Sequence, residues 1–244
     1  MNIGETAIIN FGKGAWYPRG SARLRQSLMD VRYPGHVYGW SDENALNCPP
    51  HEKVPYAFKV AAFHAAARAG HKLILWCDSA VFAIKPVDPI FEQIERDGYI
   101  FFASGFYCGQ WTSDICLQQM KVTREDAWKM PMYMACCMGL DLTKPRSQDF
   151  LARLTEHAMD WKCFPGDWRN DRGQVSKDPR CEGHRHDQSV GSILSNQMGM
   201  VPHTIGHDTF FHYYNNAAGI PYRYGQANDM TGIKESVLFL TQGM

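Results

Sequence analysis

An excess of charge of one sign is missing from this chain. Its 25 Lys and Arg are matched by 25 Asp and Glu, so the formal net charge at pH 7 is zero. No global field draws nucleic acid or an anionic membrane, and such a partner would need a local patch. Long apolar runs are missing too. None approaches the ~20 residues that span a bilayer, so no membrane span is expected. The start, "MNIGETAIINFGKG", lacks the basic residues and long apolar core of a signal peptide, which points to a cytoplasmic protein. The 8 cysteines among 244 residues are too scattered for a secreted disulfide scaffold and are expected to stay reduced. Neither G-x-G-x-x-G nor the P-loop pattern occurs, which disfavours a classical dinucleotide or ATP site. Internal repeats and low-complexity tracts are absent as well.

What is present suits a large globular core. With 45% hydrophobic and 13% aromatic residues, 244 residues can bury one large core or two closely packed subdomains. "TAIINF" and "HVYGW" read as strands, as do "LILW", "YIFFAS" and "MACCMGLDL". Between them "SARLRQSLM", with Ser21 as its N-cap, and "VPYAFKVAAFHAAARAG", with Pro55 in its first turn and Gly70 as its stop, read as helices. "VDPIFEQIERDG" is another. This alternation predicts an α/β fold with a mostly parallel twisted sheet flanked by helices. The second half is less regular, with short helices at "TSDICLQQM", "TREDAWKM" and "SQDFLARLTEHAM". A stretch from Lys162 to His184, rich in Gly, Pro, Asp and Arg, is long enough to be expected as a mobile lid or binding loop.

Chemistry concentrates at a few places. In "KLILWCDSAVFAIKPVDP" the buried strand ends on Asp78, where open α/β sheets bind their ligands; capping of the following turn, with Ser79, is the alternative. The loop "FGKGAWYPRG" offers Gly12 and Gly14 for close backbone approach, Trp16 and Tyr17 for stacking, and Lys13 and Arg19 for an anion. In "HRHDQSVGSILSNQMG", Asp187 opens a helix and suits either a cap or a catalytic carboxylate. Cys163, Cys181, His184 and His186 have the donor chemistry of a zinc staple, though without the paired spacing of such sites.

In their order, "YAFK", "LILWCDSAVF", "IKPVDPIFE", "GYIFF", "CCMGLD" and "HRHDQS" resemble nucleotide-sugar glycosyltransferases of the GT-A fold over roughly residues 7–212. The resemblance implies a single GT-A-like domain over 1–244, with a nucleotide-binding half at about 1–105 and an acceptor and sugar half at about 106–244. It implies transfer of a sugar from a UDP- or GDP-linked donor to a hydroxyl acceptor, either a glycan or, as in the viral type, a hydroxymethylated base in DNA. The family motif Asp-x-Asp holds Mn2+ or Mg2+ against the donor diphosphate. Here it reads Asp78-Ser79-Ala80, without the second carboxylate. Asp78 with a late histidine, His207 or secondly His212, is then the implied metal pair; alternatively Lys59, Arg19 and Lys13 neutralise the diphosphate without a cation. By the same resemblance, Gly12, Lys13, Tyr17, Arg19, Lys59, Ser79, His186 and Gln188 bind the donor and Trp111 and Asp114 the acceptor, while Asp78 and Asp187 are the catalytic candidates. A noncatalytic nucleotide-sugar-binding module and a zinc-stapled structural protein are the alternatives.

Overall fold

The computed structural model describes residues 5–203, 210–213 and 235–241. The first half alternates β1 (Thr6–Phe11), α1 (Tyr17–Asp30), β2 (His36–Trp40), a short α2 (Glu43–Leu46), α3 (Ala57–Arg68) and β3 (Leu73–Cys77). After these come β4 (Val81–Ala83), α4 (Asp88–Asp97), β5 (Tyr99–Tyr107), α5 (Asp114–Gln119) and α6 (Arg124–Ala127). The chain then runs through β6 (Pro131–Asp141), α7 (Pro145–Met159), α8 (Asp187–Gln197), β7 (Phe211–Tyr213) and β8 (Phe239–Thr241).

Five strands form the main sheet in the order β2-β1-β3-β6-β5, and β4-β8-β7 form a smaller one. The main sheet is parallel across β2, β1 and β3 and antiparallel at β3-β6 and β5-β6. β2, β1, β3 and β5 thus run the same way and β6 alone runs against them, so the sheet is mostly parallel in strand direction, as expected, with one reversed strand. β6, from the second half of the sequence, lies between β3 and β5, so both halves share one sheet.

Period-two alternation sorts the strand residues onto two cores. Ala7, Ile9, Ile74 and Trp76 pack with α3, α7 and α8, whereas Ile8, Leu73, Leu75 and Cys77 pack with α1, α4 and the small sheet. β3 is buried on both faces, which explains its unbroken apolar run. The same alternation directs Asp78, two residues after Trp76, toward the α3 and α8 side.

Several local expectations change. Ser21 does not cap α1, which starts four residues earlier with Pro18 in its first turn. Its hydroxyl instead donates to Asn10 Oδ1 at 2.5 Å and meets Ser79 Oγ at 3.0 Å. Pro55 precedes α3, whose N-cap is Tyr56 in the left-handed region at φ 64°. Among the described residues no helix is long and apolar enough to cross a membrane.

Candidate active site

Lys59 is the hub of the site. On α3 it shares a stripe with Ala62, Phe63 and Ala66, the helical spacing of a core-facing residue, and it is buried at 2% exposure. Its ammonium lies 3.2 Å from Asp78 Oδ1 and 3.1 Å from Asp187 Oδ2, and donates to the Ala135 carbonyl of β6 at 2.8 Å. Lys59 is thus not the solvated helical lysine its residue type would suggest. Burial lowers the affinity of Lys59 for its proton, but Asp187 and Asp78 outweigh it and the net shift is upward. Asp78 is held from both sides. Its backbone N–H donates to the Cys136 carbonyl, and Trp76 Nε1 donates to its Oδ1 at 2.7 Å.

Asp187 is the first residue of α8, one position inside the N-cap, which is His186 at φ 52°. Burial pushes the Asp187 carboxyl up to about 6, the nearby Lys59 pulling down and Asp78 pushing up. The strained His186 backbone delivers this carboxylate inward. The imidazole of His186 does not line the cavity. It donates through Nδ1 to the Phe164 carbonyl and packs against Tyr56 and Trp168.

Two cavities meet at this cluster. One, of about 390 Å³, is lined by Phe11, Lys13, Tyr17, His51, Tyr56 and Ser79 among others, and the second, about 590 Å³, by Lys59, Phe106, Trp111, Trp168, Arg185 and Gln188 among others. Asp78 and Tyr56 line both. In the first cavity Lys13 is braced by Glu43 at 2.8 Å, and Ser79 is tied to the Phe11 carbonyl at 3.1 Å. Gly12 serves a different purpose from the one expected. A Cβ there would lie 2.9 Å from the Tyr17 carbonyl oxygen, so the close approach is to the start of α1 and not to a ligand. Arg19 stacks over Trp16, 5.6 Å from the ring centroid, and is not part of either cavity lining.

At the mouth of the larger cavity the Arg185 guanidinium lies between two indoles, 3.8 Å from the Trp111 centroid and 4.4 Å from that of Trp168. Trp168 and Arg185 were missed from sequence because both sit in an irregular segment that carries no periodicity. Tyr56 was missed too, although a non-glycine residue immediately before an alanine-rich helix marks where the chain turns in. Asp114 stands apart from this cavity. It pairs with Arg124, accepts from Ser176 Oγ at 2.7 Å and accepts from the Lys177 backbone at 3.0 Å.

The segment from Lys162 to His184 is a fastened strap. The Asn170 amide donates to the Ser176 and Cys181 carbonyls, both at 3.0 Å, and accepts from the backbone of Val175 and Ser176 at 2.9 and 3.1 Å. Backbone bonds from Glu182 to Gln110 and from Arg185 to Trp111 sew it to the body. The expectation of a mobile lid gives way, because one side chain satisfies backbone groups that would otherwise keep the loop solvated. Asn170→Ala should therefore let trypsin cut at Arg169, Arg172 or Lys177 about tenfold faster or more. Fragment masses over time would show it, and unchanged cleavage would mean that other contacts hold the strap.

The zinc set proposed from sequence does not assemble. His184 accepts from the Ser113 backbone at Nδ1 and donates to the Cys163 carbonyl from Nε2, so both ring nitrogens are taken. Cys181 faces the Thr112 and Gly183 carbonyls. For a Mn2+ or Mg2+ ion the Asp-x-Asp position offers Asp78 alone: Ala80 contributes no oxygen and Oδ1 of Asp78 is taken by Trp76 and Lys59, so water and donor phosphates would have to supply most of the ligands. His207 lies outside the described residues, and of His212 only the backbone is described.

No family model matches the sequence, and no curated protein does. Solved structures do match. The apo form of mouse xyloside xylosyltransferase 1 aligns over 86% of this chain and 88% of its own, at a TM-score of 0.50 and 11% identity. The bifunctional glycosyltransferase WbbM, also apo, aligns over 99% of this chain and 46% of its own, at a TM-score of 0.54 and 9% identity. The chain has the GT-A glycosyltransferase fold. In that frame Asp78 directly follows β3, the middle strand of the five-stranded sheet.

Proposed function

We propose that the chain is a glycosyltransferase that moves a sugar from a UDP- or GDP-linked donor to a hydroxyl of a glycan. The carrying observation is that Asp78 lines both cavities while Lys59 joins it to Asp187. The smaller cavity, with Tyr17, Phe11 and His51, suits the nucleotide, because aromatic faces stack on bases. The larger one, with Phe106, Trp111, Trp168 and Gln188, suits the transferred sugar and the acceptor.

In this reading Asp187 accepts the proton of the acceptor hydroxyl. The acceptor oxygen bonds to the anomeric carbon, and the bond from that carbon to the diphosphate breaks. A carboxylate that titrates near 6 is well matched to taking a proton at neutral pH. Lys59 keeps the two acids together, and Lys13 supplies positive charge at the nucleotide side. A Mn2+ or Mg2+ ion, if the donor brings one, would find an available oxygen on Asp78 and would offset diphosphate charge.

A glycan is favoured over modified DNA because the chain carries no net charge and two arginines in and beside the strap are offset by acids. Arg124 pairs with Asp114, and Arg180 with Asp178 and Glu125. The test is a panel of UDP- and GDP-sugars, with and without Mn2+, read by thermal shift and by mass detection of transfer onto glycans and onto hydroxymethylcytosine DNA. A donor that binds the native state raises the melting temperature. Asp78→Asn should stay folded and lose about 100-fold or more in transfer. Full activity in that variant would restrict Asp78 to its turn, and donor binding without transfer or hydrolysis would make the chain a binding module.

A further inference from the structure

A second cluster of chemically active side chains lies away from the active site, at the C-terminal end of α7. His157, Asp160 and Cys163 follow one another at three-residue spacing. α7 ends at Met159, Asp160 is its C-cap, and Trp161 at φ 59° turns the chain so that Cys163 comes back under the last helical turn. The three side chains each offer one ligand atom, and these atoms lie within 4.8 Å of one another. His157 Nδ1 is buried, makes no hydrogen bond, and stands 3.7 Å from Asp160 Oδ2. Cys163 is buried, and the thiol of Cys116, from α5, packs beside it.

We propose that this cluster is a structural zinc site, with His157 Nδ1, Asp160 Oδ2 and Cys163 Sγ as ligands and Cys116 Sγ beside the fourth position. The donor set combines imidazole, carboxylate and thiolate, which is the chemistry zinc accepts in four-coordinate sites. Zinc bonds of about 2.0–2.3 Å place tetrahedral ligand atoms about 3.3–3.7 Å apart. His157 and Asp160 already stand at that separation, and the other pairs close by roughly 1 Å or less to reach it. An orphaned ring nitrogen aimed at a carboxylate and a buried sulfur is what a cation would satisfy. The site stands at the first residues of the strap that carries Trp168 and leads to Arg185, and it would join that strap to α7 and α5. Its role is to hold: three ligands come from protein, Cys116 stands next to the fourth position, and none of these residues lines either active-site cavity.

The test needs no activity assay. Protein purified without chelators should carry close to one zinc per chain by elemental analysis. Cobalt(II) substitution should give thiolate-to-metal charge-transfer absorption and the strong visible bands of tetrahedral cobalt. Cys163→Ser and His157→Ala should each weaken zinc binding at least about 100-fold, judged by competition with a chromophoric chelator. Cys181→Ser should leave it unchanged. Should Cys163→Ser not fold, Asp160→Asn and a titration of metal-stripped wild type with Zn2+ alone, followed by melting temperature, answer the same question. Wild type that neither carries zinc nor responds to Zn2+ or Co2+ would overturn the proposal. So would zinc binding that survives both ligand substitutions.

Discussion

Replacing Lys59 with methionine should destabilise the protein by about 3–5 kcal/mol at pH 8, the cost of leaving buried carboxylates without their cation. The two acids sit 3.1 and 3.2 Å from the ammonium, and Asp187 is buried whereas Asp78 is one-third exposed, so most of the cost falls on Asp187. The sign with pH follows from the Asp187 carboxyl, whose folded pKa of about 6 lies above its ordinary 3.8. An acid shifted upward binds a proton more readily in the folded state. Its stabilising contribution is full below about pH 4 and is lost as pH rises through about 6. Without Lys59 that shift grows, so the deficit of Lys59→Met should be largest at pH 8 and shrink markedly at pH 5. Urea denaturation at the two pH values measures it. An equal deficit at both would mean that Lys59 matters through packing of its stem alone.

Asp187→Asn should separate stability from catalysis. The substitution removes a buried charge that costs up to about 3 kcal/mol at pH 7.5, since each pKa unit corresponds to about 1.4 kcal/mol. The melting temperature should therefore equal or exceed that of wild type at pH 7.5, and the difference should vanish near pH 4, where the native carboxyl is also neutral. Sugar transfer should nonetheless fall by about 10²–10⁴-fold, the usual contribution of a positioned base. Wild-type transfer should rise with pH through about 6 as Asp187 ionises. An Asn variant with full turnover would remove Asp187 from the reaction and leave it as a buried partner of Lys59. The N-cap position itself belongs to His186, with Asp187 one residue inside it.

Much of the fold was legible in the chain. β1, β2, β3 and α4 lie where short-range periodicity and turn residues place them, and Gly98 ends α4 at φ 87°, as a helix-stopping glycine should. Asp78 at the end of β3 was legible for the same reason, since one apolar run and one acid are a local pattern. The places where expectation and structure part are those that depend on pairing across the chain. β6 enters between β3 and β5 in antiparallel register, and no local pattern announces that partner choice.

The amino-acid sequence by itself determined the alternation of strands and helices, the acid at the end of β3 and the absence of a second carboxylate at Ala80, because each follows from neighbours a few residues apart. Only the tertiary structure decided that Lys59 lies inside between Asp78 and Asp187, reaching an Ala135 carbonyl 76 residues away. It alone seated Arg185 between Trp111 and Trp168, and it gathered Cys163 with His157 and Asp160 while turning His184 and Cys181 onto backbone groups. The physical reason is the same in each case. A side chain's neighbours across a core are set by sheet order and helix packing, and residue type alone says which chemistry is available but not which groups will meet.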